Sequence, residues 1–90
     1  MAAINVQRLN DQQFRVEVDD GSSRTTHTVT ASSEALQRYG EGAQPEILIE
    51  KSFEFLLERE PQESILRSFD LPVIERYFPE YPQNIRSRLG

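Results

Sequence analysis

The sequence predicts an α+β fold, in which a two- or three-stranded antiparallel meander is followed by one long helix and several short ones. Apolar and polar residues alternate with a period of two early in the chain, whereas from Ser32 onward apolar residues recur at helical spacing. The 90 residues include no cysteine, and a chain of this length suits one domain without disulfides. We therefore expect a single domain, residues 1–90, that opens with the meander at 1–30.

Alternation and turn residues predict the strands of the meander. In FRVEV apolar and charged residues alternate, and RTTHTVT is rich in β-branched residues. The Asp-Gly pair between these segments is typical of a hairpin turn, of either two or four loop residues. With either turn, His27 shares the apolar face of the sheet. A further strand is expected at the start of the chain, with Val6 beside Val16 and Ile4 beside Val18.

Capping residues and prolines divide the rest of the chain into helices. A serine N-cap begins a short helix at 32–39, and a proline at the first position begins a long helix at 45–60. Pro61 cannot continue that helix, because proline lacks a backbone donor and clashes with the preceding turn. Two short helices are therefore expected at 61–78, followed by a tail or a last helical turn at 83–90.

The long helix has two apolar faces, which predict two packing partners. A main stripe of apolar side chains faces one way, and Leu48 with Phe55 forms a second patch roughly 100° away. We expect the sheet to cover the stripe, and either the C-terminal helices or a second chain to cover the patch. The predicted core consists of Phe14, Val16, Val18, Val29, Leu36, Ile49, Phe53, Leu56, Leu57, Ile65, Leu66, Ile74 and Phe78.

Three glutamates, Glu50, Glu54 and Glu58, form a column on the polar face of the long helix. Their spacing aligns like charges, so the column either docks a basic partner or is a solvated face. One helix cannot wrap carboxylates around a cation, so no metal site is expected here. Together with Leu48 and Phe55, these glutamates are the candidate partner-binding residues.

Two other polar residues, His27 and Arg59, are expected to have structural roles. His27 is the only histidine, lies on the apolar face of a strand and cannot build a metal site alone. Arg59 follows Phe55 by four residues, so its stem can cover that ring while its head reaches a carboxylate or a carbonyl. The glutamates between residues 58 and 63 are the nearest carboxylates in the sequence.

The composition disfavours several classes of function, and protein binding is the class that remains. A net charge of −5 repels a phosphate backbone and so disfavours nucleic-acid binding, and no apolar run is long enough to span a membrane. No catalytic constellation and no glycine-rich phosphate loop occurs at motif spacing. We therefore expect a cytoplasmic, non-enzymatic protein-interaction or regulatory module without cofactors, which binds a protein partner or forms a homodimer.

Two alternatives remain at the level of sequence. The helix pair expected at 61–78 has the shape of a helix-turn-helix, which would make the chain a DNA-binding regulator. A small enzyme subunit centred on His27 is the other alternative, since histidine titrates near neutral pH.

The block SFEFLLEREPQESILRSFDLPVIERYFPEY, residues 52–81, resembles a segment shared by a family of small uncharacterised prokaryotic proteins of about this length. The close resemblance covers about a third of the chain. It implies a bacterial or archaeal protein in which a β-rich part precedes the block. It transfers no catalytic residue.

Overall fold

The computed structural model describes residues 2–90, which form a four-stranded sheet, four α-helices and one 3-10 turn. Met1, the first residue of the range expected for the meander, lies outside the described residues. The elements are β1 (Ala3–Arg8), β2 (Gln13–Asp19), β3 (Arg24–Thr30), α1 (Ser33–Gly40), α2 (Pro45–Leu57), the 3-10 turn (Gln62–Ser64), β4 (Ser68–Asp70), α3 (Val73–Tyr77) and α4 (Tyr81–Leu89).

The α+β class is confirmed, but the sheet has more strands than predicted and is mixed. Its strand order is β1-β2-β3-β4, with β1, β2 and β3 antiparallel and β4 parallel to β3. Parallel neighbours need a crossover connection, and α1 and α2 provide it between β3 and β4. A purely antiparallel meander of two or three strands is therefore wrong for this sheet.

The antiparallel part of the sheet has the register expected from the sequence. Val6 pairs with Val16 and Ile4 pairs with Val18, so the strand predicted at the start of the chain is present. The hairpin loop has four residues, and the Asp20 carboxylate accepts hydrogen bonds from the backbone amides of two serines within it. This side-chain turn fixes the register that keeps the apolar side chains of β2 and β3 on one face.

Helix α2 ends at Leu57, before the expected end at residue 60. The backbone amides of Arg59 and Glu60 both bond to the Leu56 carbonyl in a tight turn, and Pro61 is extended, with ψ of 156°. The proline offers no amide with which a helix could continue, so the chain leaves the helix axis here.

Residues 61–78 do not contain the two short helices predicted for them. They form the 3-10 turn, strand β4 and one short helix, α3. Strand β3 would otherwise have an unpaired edge, and its Thr28 amide bonds to the Arg67 carbonyl while the Leu71 amide bonds to the Thr30 carbonyl. Pairing with this edge satisfies backbone groups that a second helix would leave open. The last segment is the helical alternative, α4, rather than a tail.

The two faces of α2 pack on different layers. On one face Phe53 contacts the ring of His27 in the sheet, with ring centroids 5.3 Å apart. On the other face Phe55 contacts Phe78 and Tyr81, at centroid distances of 5.9 and 5.3 Å. The C-terminal helices, rather than a second chain, therefore cover the second apolar patch. Burying both faces of one helix builds the core.

Most of the predicted core is buried, with one clear exception. Leu66 is 49% exposed and is wrong as a core residue, while Leu36, Leu57 and Phe78 are only partly buried. The core also includes large side chains that the sequence pattern did not assign to it, namely Tyr39, Leu48, Phe55, Leu71, Tyr81 and Ile85.

A buried pair of hydroxyl groups links α2 to α4. The Ser52 hydroxyl donates to the Leu48 carbonyl at 2.7 Å, which leaves it to accept from the Tyr81 hydroxyl, also at 2.7 Å. Both side chains are fully buried, and burial raises the pKa of Tyr81. The phenol therefore depends on Ser52 for its hydrogen bond.

Removing the Ser52 hydroxyl is expected to destabilise the fold more than removing the Tyr81 hydroxyl to which it is bonded. Ser52→Ala leaves a buried donor unsatisfied, which costs about 1–3 kcal/mol, whereas Tyr81→Phe costs about 1 kcal/mol. The double variant is expected to lose clearly less free energy of unfolding than the sum of the two single losses, and urea unfolding measures all three values. Tyr77→Phe is the matched control, because Tyr77 is largely exposed, and it leaves the free energy of unfolding unchanged. Strict additivity would contradict the coupling.

Candidate functional site

A groove of about 280 Å³ lies between the end of α2, strand β4 and helix α3. We call it the β4–α3 groove. Its lining is apolar apart from one carboxylate, two hydroxyl groups and backbone atoms. The residues that line it are Leu56, Glu60, Ser64, Ile65, Leu66, Phe69, Val73, Ile74, Tyr77 and Phe78.

Two large apolar side chains of this groove are exposed. Leu66 is 49% exposed and Tyr77 is 68% exposed, which makes them the two most exposed large hydrophobic residues of the described chain. The other two, Leu9 and Ile47, do not line the groove. Exposed apolar residues are informative when they meet at a concave site, because such sites commonly bind ligands or partner chains.

Strand β4 is an edge of the sheet, so one side of its backbone is open. The carbonyl of Arg67 and the amide of Leu71 bond to β3. Because backbone groups of successive strand residues alternate in direction, the amides and carbonyls of Ser68 and Asp70 point away from β3. The open edge and the groove therefore share one strand, since Phe69 between these residues lines the groove.

Glu60 supplies the one carboxylate of the groove. Among residues 2–90 its side chain has no cation within ion-pair distance and accepts no hydrogen bond, although it is only partly exposed. Burial raises the pKa of Glu60, because its surroundings disfavour the charged form. Glu58, two residues earlier, differs in this respect, because two arginines lie within ion-pair distance of its carboxylate.

Two buried polar side chains, one from the 3-10 turn and one from β3, tie the segment that forms the groove to the sheet. The Gln62 amide donates to the Val18 carbonyl at 3.1 Å and to the Ser23 carbonyl at 3.3 Å. Nδ1 of His27 lies 2.8 Å from the Leu66 carbonyl. We call these contacts the polar anchor. They fix the backbone on both sides of Ile65, so the groove wall is held from inside the protein.

His27 belongs to this anchor and is fully buried. Its Nδ1 must carry the hydrogen, because the Leu66 carbonyl can only accept, and Nε2 then accepts from the Thr25 hydroxyl at 2.9 Å. Burial lowers the pKa of His27, the bond to the Leu66 carbonyl opposes this effect, and the charge of Arg67 adds to the lowering. The ring is therefore neutral at pH 7 and bound on both nitrogens.

Arg59 lies in the turn that follows α2, and its side chain links this turn to α2 and to the start of α4. Its guanidinium lies 3.6 Å from the centroid of the Phe55 ring, and its Nη1 donates to the Phe55 carbonyl at 3.1 Å. Its Nε donates to the Glu80 carboxylate at 3.0 Å, and its Nη1 lies 3.6 Å from the Glu58 carboxylate. The carboxylates reached are thus Glu80 and Glu58, while Glu60 and Glu63 are not ion-pair partners. These contacts stabilise the junction of α2 and α4.

The residues proposed for partner binding on α2 do not form one exposed surface. Leu48 and Phe55 are completely buried within the chain, so they offer no surface to a partner, and that expectation is wrong for these two side chains. Glu54 pairs with Lys51, and Glu58 pairs with Arg88 and Arg59. Glu50, the first glutamate of the column, is partly buried and has no cation within ion-pair distance among residues 2–90. The acidic column is thus largely neutralised by neighbouring cations.

Sequence reasoning missed the groove because its parts come from distant positions. Leu66 and Phe69 follow Ile65 at spacings that also suit a helix, and in the sequence Glu60 stands out only as one of several carboxylates near Arg59. The signal that the sequence does offer is Pro61, because a proline disfavours helical geometry at the preceding Glu60.

Comparisons with known proteins assign nothing to this site. No family model, no curated protein and no solved structure matches the chain. Residues 2–90 bring together no group of three histidine, cysteine or acidic side chains that could hold a metal ion. In the same part of the chain, no helix has the length and apolar character needed to cross a membrane.

The buried neutral His27 is expected to make the free energy of unfolding fall as the pH falls. Its pKa is lowered on folding, so below about pH 6.5 the unfolded chain takes up the proton first, and the stabilisation is complete above that pH. His27→Asn, whose amide can still donate to the Leu66 carbonyl, should lose less stability between neutral pH and about pH 5.5 in urea unfolding.

An NMR titration of the wild-type ring gives a second measurement that does not depend on the variant folding. We expect the Nδ1–H tautomer and a midpoint below about 6.5. A midpoint at or above that value would contradict the buried anchor.

Proposed function

We propose that this protein is a non-enzymatic interaction module that binds a segment of a partner protein in the β4–α3 groove, acting in the cytoplasm. The partner lies in an extended conformation, adds to the open edge of β4 and places apolar side chains in the groove. Strand addition at a sheet edge is a common mode of peptide recognition, in which the backbone supplies affinity and pockets supply specificity.

One observation carries this proposal, namely that an apolar groove with exposed Leu66 and Tyr77 adjoins an unpaired strand edge. Either feature alone is common in folded proteins. Together they offer both the hydrogen bonds and the apolar contacts that an extended segment requires. The polar anchor also supports the proposal, because a groove wall that is already held in place loses less conformational entropy on binding than a mobile one.

The DNA-binding alternative has lost the feature that suggested it. A helix-turn-helix requires two packed helices, whereas residues 61–78 contain a single α-helix, α3, of five residues. The enzyme alternative centred on His27 has no supporting geometry, since both ring nitrogens are engaged by Thr25 and Leu66 inside the core. We therefore propose neither.

Leu66→Glu is expected to weaken partner binding at least about tenfold, because it places a charge in the apolar contact. Ile47→Glu is the matched control, since Ile47 has a similar exposure of 43% and lies in the first turn of α2, roughly 13 Å along the helix from Leu56. Affinity capture from the native cell with wild type and both variants supplies the partner, and calorimetry with the purified partner supplies the affinities. Equal binding by the wild type and Leu66→Glu would contradict the proposal.

Hydrogen exchange of the same complex tests the strand edge directly. The amides of Ser68 and Asp70 face the open edge and are expected to exchange fast in the free protein and slowly in the complex. The Leu71 amide, which bonds to the Thr30 carbonyl, serves as the internal reference for slow exchange in both. Unchanged exchange at Ser68 and Asp70 would rule out strand addition.

A further inference from the structure

We infer that the segment bound in the β4–α3 groove carries a lysine or arginine among its apolar residues, and that Glu60 binds this cation. The inference rests on the proposed function and names the chemistry of the partner. It therefore predicts which extended segments the groove accepts and which it rejects.

The charge of the groove is the first observation behind this inference. Glu60 is the only acidic or basic side chain in the lining, and the residues around it are Leu56, Ile65 and other apolar groups. A cation brought into the groove with its segment would meet an acceptor that no residue of the described chain occupies. A carboxylate brought there would meet a like charge, with no positive charge in the lining to compensate it.

The contrast with three paired glutamates, two at the α2–α4 junction and one in α3, is the second observation. Glu58, Glu75 and Glu80 each have an arginine within ion-pair distance. Glu60 has none among residues 2–90, although burial already penalises its charged form. Charge pairs gain strength as water is removed, so a segment that covers the groove would strengthen its pair with Glu60 while excluding solvent.

The position of Glu60 fits a side chain that projects from an extended segment. Residues of a strand direct alternate side chains to the same face, so a segment added at β4 presents every second side chain to the groove. Leu66 and Tyr77 offer apolar contacts on this face, and Glu60 offers the single charged contact. An alternating pattern of apolar residues with one cation on the groove side matches this arrangement.

The net charge favours a basic segment of another protein over a second copy of this chain. Each copy carries a formal charge of −5, so two copies repel one another, whereas a basic segment is attracted at long range. A second copy in the groove is therefore an outcome that the test must be able to detect.

Selection from a display library of short linear peptides against the purified wild-type protein tests the inference. We expect enriched peptides to carry a lysine or arginine flanked by apolar residues and to lose binding to Leu66→Glu. Glu60→Gln should weaken their binding about tenfold, the loss expected when a charge-assisted hydrogen bond becomes a neutral one. Glu50→Gln is the matched control, because Glu50 is also partly buried and has no cation within ion-pair distance among residues 2–90, but lies outside the groove.

Glu60→Gln should fold normally, since its carboxylate has no partner within residues 2–90, and urea unfolding checks this point. Enriched peptides that need Leu66 but lack a basic residue, or that bind Glu60→Gln as tightly as the wild type, would overturn the inference and leave the proposed function standing. A library that yields no peptide sensitive to Leu66→Glu would overturn both.

Sedimentation of the protein without peptide completes the test. We expect a monomer whose sedimentation is unchanged by Leu66→Glu. A dimer that Leu66→Glu dissociates would place a second copy in the groove and overturn the inference.

Discussion

The polar anchor between the sheet and residues 62–66 is the contact on which the site depends. Strand β4 has only three residues, and a strand so short contributes few ladder hydrogen bonds to its own position. Two buried side chains add bonds on either side of Ile65: Gln62 donates to the Val18 and Ser23 carbonyls, and His27 donates to the Leu66 carbonyl. Bonds of this kind are costly to leave unmade in a core, so they specify one arrangement of the segment.

The local parts of the fold follow from the sequence, because their signals lie within a few residues. The alternation in β2 and the turn after Asp19 set the register of the meander, and Ser32 caps α1 by accepting from the Ala35 amide as its residue type suggests. Pro61 ends the α2 region for a covalent reason that needs no tertiary context. Such features survive packing, since packing selects among conformations that the local sequence already favours.

The parts that could not be predicted depend on contacts between distant residues. Whether ILRSFD forms a helix or a strand is decided by the open edge of β3, about forty residues earlier in the chain. The helical spacing assigned Leu66 to the core, whereas in the extended segment its side chain reaches the surface. Likewise, two apolar faces on α2 require two partners, but the pattern does not distinguish the C-terminal helices from another chain.

For polar residues too, the sequence predicts the local environment but not the partner in the fold. Residue spacing predicts that His27 lies on the apolar face of the sheet and that Arg59 covers Phe55. It does not predict their partners, because His27 bonds to the Leu66 carbonyl and Arg59 to the Glu80 carboxylate, both of which come from distant parts of the chain.

Glu60 shows why this matters for function. Arg59 pairs with Glu80, and the neighbouring Glu60 carboxylate lies in an apolar groove with no cation within ion-pair distance in the described part of the chain. The anchor holds the backbone at Gln62 and Leu66, so the groove wall that follows Glu60 has one arrangement. A carboxylate that is partly desolvated and already positioned gains more from an incoming cation than one that is solvated and mobile. The same turn that ends the longest helix therefore places a carboxylate in the groove for which we propose a partner.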